Sequence, residues 1–112
     1  MILKQGEKIH VVHRRFFEKE IRRHFVGIVE GYEGGVARVV GHVFSLDRTE
    51  GTFERRPEER TRIISLSSGE NFVNVIPDFV DLGKIHYKQV KKVVRVTDGS
   101  AWHLDLSESP FA

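Results

Sequence analysis

Cysteine is absent from the chain, which has only three prolines, one tryptophan and one methionine in 112 residues. Without cysteine there is neither a disulfide framework nor a thiolate metal site. No apolar stretch approaches the length needed to cross a bilayer; the longest, such as Phe25-Val26-Gly27-Ile28-Val29, are strand-sized. A large charge excess is missing too. Eighteen Lys and Arg stand against 16 Asp and Glu, giving a formal net charge of +2. Any anion binding must therefore come from where the charges sit, not from their total. The opening Met1-Ile2-Leu3-Lys4-Gln5-Gly6 lacks the apolar core of a signal peptide, so the chain reads as cytoplasmic. At 39% hydrophobic and 30% charged residues, it is neither disordered nor a membrane protein.

Alternation and β-branched residues are what the chain does have, with Gly, Asp and Asn breaking them at intervals. Strands are predicted over about Lys8–Phe17, Ile21–Gly31, Val36–Leu46, Thr61–Leu66 and Phe72–Ile76. The polar stretch Asp47–Arg60, which carries Pro57, reads as an exposed excursion with a short strand at Thr52–Glu54. Pro77–Gly83 stops the strand and forms at most one helical turn. Val90–Val96 and Ala101–Leu106 then make a hairpin across Thr97-Asp98-Gly99-Ser100. Trp102, Leu104 and Leu106 share one face of its second arm, His103 and Asp105 the other.

Gly27 and Gly41 fall inside strand patterns, where glycine costs stability and marks a bulge or a sharp bend. Two neighbouring strands that both bend suit closure into a small barrel. The expected fold is all-β: a small, strongly bent antiparallel barrel over residues 6–82 with an additional C-terminal β-hairpin over 84–112, in one domain.

Two stretches carry a family resemblance. His24-Phe25-Val26-Gly27-Ile28-Val29-Glu30-Gly31-Tyr32 resembles the first motif of Sm-like domains, and Ile64 to Pro77, through Ser67-Ser68-Gly69-Glu70-Asn71, resembles the second. The similarity covers about residues 6–78. It implies a five-stranded barrel of the Sm-like or SH3-like kind, a homo-oligomer that closes into a ring through its edge strands, and RNA as a ligand. The first RNA loop reads Glu30-Gly31-Tyr32-Glu33-Gly34-Gly35 and lacks that family's aspartate and asparagine. Ser68 stands where a basic residue precedes the second-motif glycine.

Catalytic signatures are missing: no G-x-S-x-G elbow, phosphate loop, dinucleotide fingerprint or H-E-x-x-H is present. Six histidines invite a metal, but His10 and His13 would face opposite sides of a strand, and the others show no ligand spacing. Neither a cofactor nor a metal is expected. The segment His13–His24 is nearly a palindrome about Lys19, which sets Phe17 against Ile21, Arg15 against Arg23 and Arg14 against His24. Guanidinium opposite guanidinium is unfavourable unless an anion lies between them. Arg14, Arg15, Arg22 and Arg23 are therefore candidate polyanion contacts, with Tyr32 as a stacking platform. The resemblance adds Gly69 and Asn71. Arg55, Arg56, Arg60 and Arg62, interleaved with Glu54, Glu58 and Glu59, read as an exposed loop with local pairing. The function expected is an oligomeric, non-catalytic module that binds RNA or another polyanion. The alternative is a structural or protein-interaction module of the same fold with no nucleic-acid ligand.

Overall fold

A computed structural model describes residues 2–13, 22–47, 49 and 51–106. The described residues are all-β, with eight strands in two antiparallel sheets. The first sheet holds β1 (Lys8–His13), β2 (Arg23–Glu33), β3 (Val36–Asp47), β4 (Thr52–Ser65) and β5 (Asn71–Ile76). Its order is β4-β3-β2-β1-β5, so β4 and β5 form the two edges. The second sheet is a meander of β6 (His86–Val90), β7 (Val93–Thr97) and β8 (His103–Leu106).

The glycine bend is a paired one. Gly27 of β2 and Gly41 of β3 are direct partners in the ladder. A Cβ at Gly41 would run into the Val26 carbonyl and lie 2.5 Å from the Gly27 Cα. A Cβ at Gly27 would meet the Val40 carbonyl and come within 2.9 Å of a Val39 methyl. The backbones approach this closely only because both side chains are missing. A bulge between Val29 and Gly31 and a register shift between His42 and Phe44 add to the curvature. At the β2–β3 turn, Gly34 and Gly35 take φ of +56° and +78°, the left-handed pair that a two-residue hairpin requires.

β4 corrects the expected excursion at Asp47–Arg60. It is one 14-residue strand, and most of it from Glu54 to Ile63 is exposed. An edge strand exposed on both faces along most of its length has no buried face to demand apolar residues, so it reads as polar loop. Pro57 sits in the bulged stretch opposite Val43, where no ladder donor is needed.

The expected two-stranded C-terminal hairpin is a three-stranded sheet. Lys91 and Lys92 form the β6–β7 turn, with Lys91 at φ +58°. Nothing in two consecutive lysines announces a turn, which is why Val90–Val96 looked continuous. Between the sheets, a short 3₁₀ turn (Leu82–Lys84) is capped by Asp81, whose carboxylate accepts from the Gly83 N–H at 2.9 Å.

Two apolar cores result, one on each face of the five-stranded sheet. The outer face presents Val26, Phe44, Leu46, Phe53 and Ile76 to Val80, Ile85, Tyr87, Val94, Val96 and Leu106. The second sheet thus covers the first, with Trp102 and Leu104 half-buried against the same core. Burying a side chain such as Phe44 or Val96 contributes about 1.5–3 kcal/mol. The inner face holds Leu3, Ile9, Val11, Phe25, Val29, Ala37, Val39 and Ile64. Among the described residues, no helix is long and apolar enough to cross a membrane.

Candidate nucleic-acid interface

Ladder registers fix which residues share the inner face. Val11 pairs with Phe25, Phe25 with Val43, Val39 with Arg62 and Gly41 with Arg60. Arg60 and Arg62 therefore stand on the same face as the inner core, one strand further out. Arg60 lies across from a glycine, which leaves room beside it. At the other end of that face, Arg23 pairs with Ser45, and His13 pairs with Asn71. The inner face thus runs from an apolar half into a polar, arginine-lined half. The latter forms a groove of about 860 Å³ with Arg23, Arg56, Arg60 and Arg62 in its wall and Val11, Phe25, Val43 and Ile64 in its floor. Glu58 and Glu70 also line it. Among the described residues none of these four arginines has an ion-pair partner, in contrast to Arg95, which grips Asp105 at 2.7 Å.

The sequence candidates scatter across this geometry. Arg14 and Arg15 lie outside the described residues, as does the expected hairpin tip Glu18-Lys19-Glu20. Arg23 lines the groove; Arg22, just before β2, is half-buried and does not line it. The palindrome about Lys19 does not set the register. β1 and β2 pair Val12 with His24, so the ladder is slipped by two residues and His24 does not face Arg14. Tyr32 is half-buried against the inner core and packs as a rim residue. Gly69 is exposed at φ +77° in the β4–β5 turn. Asn71 holds the corner between strands: its amide donates to the Ser65 carbonyl at 3.0 Å, and its oxygen accepts from His13 Nδ1 at 3.1 Å. The two turns at this end touch, since the Leu66 N–H donates to the Gly35 carbonyl at 2.8 Å.

Arg55, Arg56, Arg60 and Arg62 correct the expected loop with local pairing. Arg55 turns to the outer face, 5.3 Å above the Phe44 ring, and donates to the Leu82 carbonyl. The other three turn inward. Strand alternation would have separated them once β4 was recognised.

The outer face carries a polar cluster that sequence spacing did not expose. His10, His24 and Tyr87 are buried together where β1 and β2 meet β6. Asn74 Nδ2 donates to His10 Nδ1 at 3.3 Å, so the His10 proton resides on Nε2. Nε2 donates to the Tyr87 oxygen at 2.9 Å, and the Tyr87 hydroxyl donates to His24 Nδ1 at 2.7 Å. His10 is neutral in this chain of bonds. Burial, with a smaller contribution from His24, pushes the His10 pKa down from 6.5 to about 3. Phe53 closes the cluster, stacked on His24 at 4.6 Å and on Tyr87 at 4.8 Å. The arrangement joins the two sheets by satisfied hydrogen bonds, and no buried side-chain polar atom among the described residues lacks a partner. Among those residues, no three His, Asp or Glu side chains are grouped as metal ligands.

No family model matches the chain, and no curated protein or solved structure is significantly similar to it.

Proposed function

We propose that the chain is an Sm-like module, bent into a small barrel, that assembles with copies of itself and binds RNA or another polyanion without catalysis. The observation carrying this reading is the state of the sheet edges. β4 and β5 end the order β4-β3-β2-β1-β5, and among the described residues neither pairs with a further strand. Both edges expose apolar side chains: Ile63 on β4, and Phe72 and Val75 on β5. An edge with unpaired N–H and C=O groups beside exposed apolar surface is a template for another strand. β4 of one copy meeting β5 of the next is a heterologous contact, and such contacts generate rings when the rotation closes. The paired glycines at 27 and 41 supply the bend of a small barrel. A cytoplasmic setting belongs to the same reading.

A protein-interaction module with no nucleic-acid ligand draws support from Tyr32 and Asn71, which are engaged within the chain instead of being presented to a ligand. Solution mass by light scattering coupled to size exclusion tests the assembly. A discrete oligomer, several times the 12.9 kDa chain, is expected. A monomer at all concentrations would overturn the edge-pairing reading.

A further inference from the structure

We propose that the arginine-lined end of the inner face is the site of the polyanion, and that its ligand is single-stranded RNA held along β4. This rests on the functional reading above and deepens it, moving the ligand from the turns around Tyr32 and Gly69 to the strand. Four guanidiniums, from Arg23, Arg56, Arg60 and Arg62, converge on one groove with two carboxylates, and those guanidiniums make no ion pair with a described residue. Arginines that the fold leaves uncompensated are available to bind phosphate, whose oxygens fit the planar fork in bidentate fashion. Arg60 and Arg62 are two residues apart on one strand face, hence about 7 Å apart along β4. That rise is comparable to the separation of successive phosphates in an extended single strand.

Shape selects among nucleic acids. A concave groove within one sheet admits a strand laid along it, whereas a duplex is read by an element that projects into its own grooves. On the groove floor, half-buried Val43 with exposed Ile63 beside it offers apolar surface to bases or sugars while the wall holds phosphates. A free inorganic anion would leave that floor uncovered. Glu58 and Glu70 exclude the backbone from their own positions and so confine its path to the arginine wall. Base identity is not read by such contacts, so binding is tolerant of sequence.

Fluorescence anisotropy with a labelled oligouridylate, using the full chain, tests this. Arg60→Gln/Arg62→Gln, both at exposed positions, should weaken binding by about tenfold or more. It should also flatten the dependence of log K on log salt by roughly 0.7 per lost phosphate contact. Lys88→Gln/Lys92→Gln removes the same charge from the second sheet and should stay within about twofold of the wild type. Arg23→Gln, on a different strand, provides a second groove variant. Equal losses in the groove and lysine variants would mean diffuse electrostatics and overturn the site. So would a groove variant that binds as the wild type does. Light scattering on the same samples separates the two readings. Absent RNA binding with the oligomer intact sinks this proposal and leaves assembly standing, while loss of the oligomer in Arg60→Gln/Arg62→Gln would reassign these arginines to the subunit contact.

Discussion

The two faces of the five-stranded sheet treat polar side chains in opposite ways. On the outer face, two histidines and a tyrosine are buried beneath the second sheet and bonded to one another, with a half-buried asparagine on His10. On the inner face, four arginines line a groove open to solvent beside two glutamates and make no ion pair with a described residue. The difference follows from desolvation. A charge under the second sheet would cost several kcal/mol, so that site admits only neutral, mutually satisfied groups. Water at the groove screens the guanidiniums, and the fold can leave them unpaired at little cost. Buried polarity here serves to join sheets; exposed charge is free for a ligand.

The sharpest way to break the comparison is to abolish the close approach of β2 and β3 at their paired glycines. Gly41→Val drives a side chain into the Val26 carbonyl and the Gly27 backbone, neither of which can rotate away. Loss of more than about 4 kcal/mol is expected, seen as a chain without a cooperative melt or near-ultraviolet circular dichroism. Gly31→Ala, with nothing within 4 Å of the added methyl, should change stability by no more than about 0.5 kcal/mol. Comparable losses in both variants would mean that the glycine pair is not what bends the sheet.

Acid probes the outer face next. His10 titrates near 3 in the folded chain and near 6.5 when exposed, so the unfolded state takes up the proton first as pH falls. The stability due to its neutral form is complete above about pH 6.5 and is lost as pH drops from there toward 3. The slope attributable to His10 is at most about 1.4 kcal/mol per pH unit. His10→Gln should cost about 1–3 kcal/mol at pH 7.5 by disturbing the bonds to Asn74 and Tyr87. It should also flatten the acid limb. Urea titrations at pH 7.5, 6 and 5 read both effects. An unchanged slope in the variant would show that His10 is not held neutral by this cluster.

Why the two faces were unequally legible comes down to register. The glycines at 27 and 41, the all-β character and the face of Trp102, Leu104 and Leu106 could be read because each depends on local pattern alone. The histidine cluster depends on how β1 meets β2. A palindrome centred on Lys19 puts His24 opposite Arg14, far from His10. The actual ladder pairs His10 with Val26 and Val12 with His24, which sets the two imidazoles diagonally adjacent on one face. A slip of two residues preserved every facing and hid the contact. The hydrophobic pattern could not discriminate, because apolar residues alternate the same way in both registers. For the arginine groove the obstacle was different. β4 is exposed on both faces along most of its length and so shows none of the alternation that identifies a strand. Its arginines could be sorted by face only after the strand itself was known. Tyr87, the link between the sheets, lies outside every strand predicted from the sequence.

The smallest expected effect separates charge that stabilises from charge that binds. Arg95 on β7 and Asp105 on β8 are direct ladder partners, and the guanidinium grips the carboxylate through Nε at 2.7 Å and through a second nitrogen at 3.2 Å. The Arg95 interaction holds the Asp105 carboxyl below its ordinary range. Geometry alone would rank this as the strongest ion pair among the described residues. Its partners are nevertheless 26% and 41% exposed, where solvent screens the attraction and side-chain ordering offsets much of what remains. Arg95→Gln should therefore shift stability by no more than about 1 kcal/mol in a urea titration at low salt, and by less as salt is added. It should leave oligouridylate affinity within about twofold of the wild type, because the pair lies on the second sheet, away from the groove. If Arg95→Gln instead weakens RNA binding as much as Arg60→Gln/Arg62→Gln, binding follows net charge, and the contrast between the two faces has no bearing on it.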